Sequence, residues 1–141
     1  MQAKAFLNQT YRLESRIESK KARLQYWKDL AVSITSSIEN TGHSSEVSRK
    51  IENCSIKILE LEDEILSDIE KLVFTERKVK NAINSLSHPQ YKNILEKRYL
   101  LHMSFEQIAV SEGYTYRWVQ TLHKRALKYF EESVLVPEIS Q

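Results

Sequence analysis

SFEQIAVSEGYTYRWVQTLHKRALKYF, residues 104–130, decides the reading of this chain. Ser104 and Gln107 form a capping box, a serine followed three residues later by a glutamine that returns the hydrogen bond, so a helix starts here. Phe105, Ile108 and Ala109 are its apolar face. Gly113 ends it, because a left-handed turn residue is least strained as glycine. Thr115 caps a second helix, in which Val119, Leu122, Ala126 and Phe130 recur at helical spacing. Two helices that cross closely need a small residue at the crossing and a glycine four positions later. They also need apolar residues that hold the second helix against the first. Ala109, Gly113, Tyr114, Val119 and Leu122 stand at those spacings, and Ile108 precedes the alanine. The stretch therefore predicts a helix-turn-helix unit.

Upstream, Ser87-His88-Pro89 opens another helix, with Pro89 in its first turn and Ser87 or His88 as cap. Tyr91, Ile94, Leu95 and Tyr99 are its apolar face. Further back there is little punctuation. The chain of 141 residues holds two glycines and two prolines, Gly42, Pro89, Gly113 and Pro137. That argues against a β protein, which needs many turns. From Met1 to Gly42 nothing breaks a helix. Phe6, Leu13, Lys20, Trp27 and Ile34 form one seven-residue series; Thr10, Ile17, Leu24, Ala31 and Ile38 form the other. Lys20 is a polar break, which either sets register or snorkels to water. Trp27 lies on the seam and reads as core. After a loop at about 40–45, Ile51, Ile58, Ile65, Leu72, Val79 and Leu86 repeat the heptad. Val47, Cys54 and Leu61 accompany them until Asp68 and Thr75 weaken the series, and Ile69 and Ile83 widen the stripe.

These patterns predict an all-α protein. Residues 1–86 form a long antiparallel coiled-coil hairpin for oligomerisation or partner binding. Residues 87–132 form the helix-turn-helix module, and 133–141 an apolar tail that docks on the module or on a partner. Each hairpin helix would run on the order of 50–60 Å. Charge is segregated along the chain. Residues 1–37 carry seven Lys/Arg against three Asp/Glu, residues 38–86 seven against ten, and residues 87–141 seven against six. The first hairpin helix is thus basic, and the second is acidic around Glu60–Glu64, which favours their pairing. Residues 115–130 hold Arg117, Lys124, Arg125 and Lys128 and no acid.

Enzyme chemistry finds no foothold. His43, His88, His102 and His123 have no metal-ligand spacing with Cys54. There is no glycine-rich phosphate loop and no nucleophile elbow. Glu62 and Glu64 lie on a charged helix face. No catalytic residue, metal or cofactor is expected. Cys54 is the single cysteine, so no intrachain disulfide forms, which fits a reducing compartment. No signal-peptide core or membrane span is visible, and the chain reads as cytoplasmic.

Ile94-Leu95, Arg98-Tyr99, Ser104 to Ala109, Gly113-Tyr114-Thr115, Val119 and Arg125-Ala126-Leu127 together resemble region 4 of sigma-70 factors. With the heptad hairpin ahead of it, the whole chain is similar to small sigma-like regulators of Gram-positive phages and phage-inducible islands, the ArpU and RinA type of late-transcription activators. About 45 residues carry the specific motifs. Glu112 departs from the pattern: a leucine usually stands there, and Val110 is expected to take over its packing. No region 2 is visible, which argues against a complete sigma factor.

The resemblance implies a sequence-specific DNA-binding transcription regulator, an activator of phage or mobile-element genes, that reads the major groove with helix 115–130. Tyr116, Arg117, Gln120 and Thr121 are the expected base readers, since arginine suits guanine and glutamine suits adenine. Lys124, Arg125 and Lys128 suit phosphates. Trp118 either packs on the module or lies against the sugar-phosphate backbone. Double-stranded DNA is the expected partner, with RNA polymerase a further one and a homodimer through residues 1–86. The alternative is a coiled-coil interaction module that contacts RNA polymerase or another regulator without reading bases.

Overall fold

The computed structural model describes residues 2–41 and 45–135, and the side chains of these except 38–41. It contains α1 (Gln2–Leu7), α2 (Gln9–Thr41), α3 (Ser45–Asn84), α4 (Pro89–Tyr99), α5 (Phe105–Glu112) and α6 (Tyr116–Phe130), followed by a π-helical segment, Glu131–Leu135. The fold is all-α, with no strand among the described residues. None of the described helices is long and apolar enough to cross a membrane. Helix persists through Asn40 and Thr41 and resumes at Ser45, three positions whose composition had suggested loop. Positions 42–44, with Gly42 and His43, and positions 136–141, with Pro137, lie outside the described residues.

The chain divides into two compact units, Met1–Arg12 with Leu72–Gln141, and Leu13–Lys71. In the second unit the heptad positions of α2, Leu13, Ile17, Lys20, Leu24, Trp27, Ala31 and Ile34, are all buried or half-buried. So are Val47, Ile51, Cys54, Ile58, Leu61, Ile65 and Asp68 of α3. The partner series therefore does not fail at Asp68. Lys20 Nζ donates to Asp68 Oδ2 at 2.7 Å, and Arg16 Nη2 to Oδ1 at 3.3 Å. Two polar heptad positions, one on each helix, satisfy each other. The hydrogen bond from Lys20, more than any other effect, holds the Asp68 carboxyl below the usual carboxylate range against its own burial. Further ion pairs join Lys20 to Glu64 and Lys28 to Glu62, each at 3.9 Å. As the number rises along α2 it falls along α3, as in two helices running oppositely. The basic-to-acidic match is thus realised. Ile69, expected to widen the apolar stripe, is exposed; a carboxylate neighbour at 68 takes the inward position instead.

The other unit packs α1, the end of α3, and α4 to α6 around one core. Ala3, Leu7, Val79, Ile83, Ile94, Leu95, Tyr99, Ile108, Val119, Leu122, Ala126 and Phe130 are its centre. Phe6, the first heptad residue, does not join a two-helix seam here: its ring meets Phe130 at 5.7 Å. A turn at Asn8 separates α1 from α2, although no glycine or proline marks it. Side chains replace backbone partners across it: Gln9 Nε2 donates to the Phe6 carbonyl at 2.8 Å and Arg12 Nη2 to that of Ala5 at 3.2 Å. Thr75 also stays buried, so the inward side of α3 runs on through Val79 and Ile83, and Leu86, just past the helix end, is buried as well.

The predicted caps form. His88 Nδ1 accepts from the Tyr91 amide and its ring stacks on Tyr91 at 3.7 Å. Ser104 and Gln107 exchange both capping-box bonds, Thr115 accepts from the Trp118 amide, and Gly113 closes α5 at φ 69°. Glu112 does not leave a packing gap for Val110 to fill: Val110 is 85% exposed. Instead Glu112 Oε1 accepts from Asn93 Nδ2 at 2.8 Å and pairs with Lys97 Nζ at 3.0 Å. A polar clamp from α5 to α4 stands where the resemblance implied an apolar contact. Of the tail, Leu135 is buried and Val134 packs on the same core.

Candidate nucleic-acid interface

Helix α6 forms because its apolar residues recur with helical period and both ends are capped. One side of it is wholly buried, through Val119, Leu122, His123, Ala126, Leu127 and Phe130. At 3.6 residues per turn, Arg117, Thr121, Lys124 and Lys128 fall on one line opposite that side. Arg117, Lys124 and Lys128 are exposed, and none of them forms an ion pair among the described residues. Thr121 is half-buried, and its hydroxyl donates to the Arg117 carbonyl at 3.1 Å.

The remaining expected site residues sit on the flanks of this line. Tyr116 opens the helix, 44% exposed, with its ring edge toward Phe105 at 6.3 Å. Gln120 is exposed on the side facing α1 and α4. Arg125 turns to the opposite side, where its guanidinium lies over the Trp118 ring at 5.4 Å. It is therefore separated from Lys124 and Lys128, with which its sequence neighbourhood had grouped it. Trp118 is half-buried against the core, in line with the packing alternative.

Three residues near α6 were not anticipated as site residues: Lys4, Asn8 and Arg98. They line a cleft of about 410 Å³ together with Gln120 and Lys124 of α6. Tyr99, Phe105 and His123 supply its aromatic lining. The Tyr99 hydroxyl and His123 Nε2 are 2.7 Å apart and both side chains are buried. Burial first, then the positive charges of Arg98 and Lys4, push His123 down to about 4, so it is neutral at pH 7. Burial pushes the Tyr99 phenol up to about 12. The Arg98 guanidinium lies on the Phe105 ring at 4.2 Å and donates to the Met103 carbonyl at 3.0 Å. A signal for Lys4 was present in the sequence. Ala3, Phe6 and Leu7 have helical spacing, but the same residues also start the heptad, which hid their use against α6.

No known family model, curated protein or solved structure matches this chain.

Proposed function

We propose that the chain is a sequence-specific DNA-binding transcription regulator, with α5 and α6 as a helix-turn-helix and α6 as its major-groove helix. The line Arg117, Thr121, Lys124 and Lys128 carries this reading. Its three cations are exposed, no acid stands anywhere on the helix, and the opposite side is fully buried. Such a face gains nothing for folding alone, since like charges repel along it, and a basic, exposed helix face is what contact with DNA phosphates requires. Arg117 and Thr121, with Tyr116 at the helix start and Gln120 beside them, face base edges. Lys124 and Lys128 face phosphates, and Arg125, held over Trp118, contributes at the flank. The likeness of residues 94–127 to sigma-70 region 4 supports the same docking, and with it a role as an activator of phage or mobile-element genes. In this reading α2 and α3 form an antiparallel coiled-coil hairpin that makes the chain a dimer.

A second reading, a coiled-coil module that grips RNA polymerase or another regulator, is favoured by Val110, which α5 presents almost fully to solvent. Fluorescence anisotropy with a randomised duplex pool, followed by sequencing of the bound fraction, separates the two. Enrichment of one motif, with affinity falling steeply in salt, is the expected outcome. Absence of duplex binding at low salt would leave the interaction module as the better account.

A further inference from the structure

The cleft beside α6 has the composition of an anion site. Lys4, Arg98 and Lys124 bring three positive charges to its rim, and no acidic side chain lines it. None of the three forms an ion pair among the described residues. Arg98 is half-buried and already fixed by Phe105 and Met103, so it loses little freedom on binding an anion. Lys124 belongs both to this rim and to the exposed line of α6, which makes the cleft continuous with that line. Burial is the main reason that His123 resists protonation, and the nearby charges of Arg98 and Lys4 add to it.

We propose that this cleft is a phosphate site, in which Lys4, Arg98 and Lys124 supply the charge and the Asn8 and Gln120 amides the neutral donors. The phosphate comes either from the backbone of a duplex lying on α6 or from a free phosphorylated small molecule. The first source rests on the DNA-binding reading; the site itself does not. The first helix of the chain thereby becomes part of the ligand-binding surface, although the heptad pattern had assigned it to the hairpin.

Two measurements on the full chain test this. In the first, duplex affinity is followed against salt for wild type, Lys4→Ala and Lys128→Ala. A backbone phosphate in the cleft makes Lys4→Ala flatten the slope of log K against log salt by about 0.9, on preferred and random duplexes alike. In the second, inorganic phosphate is titrated into histidine-labelled protein and the His123 ring is followed by NMR. Phosphate offsets the charges of Lys4 and Arg98, so His123 shifts saturably and titrates at higher pH, and Lys4→Glu removes the response. Circular dichroism establishes that all three variants are folded; Lys4 is exposed, and only its backbone carbonyl enters a hydrogen bond at the Asn8 turn.

A flattened slope for Lys4→Ala upholds the site with a backbone phosphate as its ligand. A Lys4-dependent phosphate response with an unchanged slope upholds it with a free phosphorylated molecule. The same holds if wild type binds no duplex, in which case the DNA-binding reading fails and the phosphate site stands. An unchanged slope, or no duplex binding, together with a His123 ring indifferent to phosphate overturns the proposal.

Discussion

Arg117 and Lys128 lie eleven residues apart on one line of α6, at opposite ends of the helix. The N-terminal end of a recognition helix enters the major groove, and the rest meets phosphates as it leaves. Arg117→Ala is therefore expected to cost about 1–3 kcal/mol on the preferred site and to relax base preference at one position. Lys128→Ala should weaken preferred and random DNA about equally and flatten the salt slope by about one. Anisotropy titrations on both duplexes at several salt concentrations check this. If both variants weaken all sequences alike, another residue reads the bases. His123 has a consequence of its own. Its folded value of about 4 lies below the ordinary histidine value of 6.5. Between these pH values the unfolded chain binds a proton that the folded chain does not. Stability is thus full above about 6.5 and falls as pH drops toward 4, by up to about 3 kcal/mol. Urea unfolding at pH 7 and pH 5 should show part of this loss in wild type, and much less in His123→Gln. The sequence marked His123 only as unsuited to metal. Its burial against Tyr99 depends on how α4 crosses α6, which residue spacing does not encode. The outward line of α6, by contrast, was legible because cations and apolar residues fall on opposite sides of one helical period.

At the scale of elements, the capped and punctuated parts of the chain read most directly. Ser104, Gly113 and Thr115 each fix a backbone bond locally, so their roles follow from a few neighbouring residues. Gly113 takes φ 69°, and a Cβ added there meets nothing within 4 Å. Gly113→Ala should accordingly cost only the left-handed strain, about 1–2 kcal/mol, and Gly113→Asn less. Thermal melts of the two variants decide this; equal losses would mean that shape and not backbone strain matters at the turn. The long helices were legible in period but not in pairing. Lys20 and Asp68 each looked like a flaw in its own heptad, and only the register between α2 and α3 turns them into partners. Asp68 is the more deeply buried, with its side chain 4% exposed against 21% for Lys20. Lys20→Met therefore leaves the deeper carboxylate with Arg16 alone, at 3.3 Å, and should cost less than the roughly 3–5 kcal/mol seen when a buried charge loses every partner. Asp68→Leu should cost less, since Lys20 retains Glu64 within 3.9 Å and reaches water. The double variant Lys20→Met/Asp68→Leu should recover most of the loss. A double variant as unstable as the two losses added would show that the pair is not coupled.

Over the whole molecule, the question is what meets the outer side of α3 within Leu13–Lys71. Leu59 and Leu66 stand one heptad apart on the side of α3 away from Cys54, Leu61 and Ile65. They are 66% and 62% exposed, and Ile56 and Ile69 are exposed near them. Of the four, the heptad pattern drew only Ile69 into the reading, as a residue that widens the inward stripe, whereas all four fall off that stripe and are exposed. Fully burying such a side chain is worth about 1.5–3 kcal/mol. Because the four are 38–66% exposed, each gains only about half of that, so four from each of two copies supply on the order of 6–13 kcal/mol, comparable with the roughly 4–15 kcal/mol lost on association. The expected result is a dimer with dissociation in the micromolar range. Sedimentation velocity should show it at tens of micromolar and a monomer on strong dilution. Leu59→Gln/Leu66→Gln should remain monomeric at the higher concentration with unchanged helicity, because these side chains support nothing within one copy. A wild-type monomer at tens of micromolar would remove the dimer. A dimer that survives both substitutions would move the contact elsewhere on the chain. If the dimer forms, it also predicts the DNA site. On the proposed DNA-binding function, two copies of α6 related by a two-fold axis would meet two half-sites, so enriched sequences should be palindromic, and Leu59→Gln/Leu66→Gln should bind one half-site as well as wild type while losing the advantage of two.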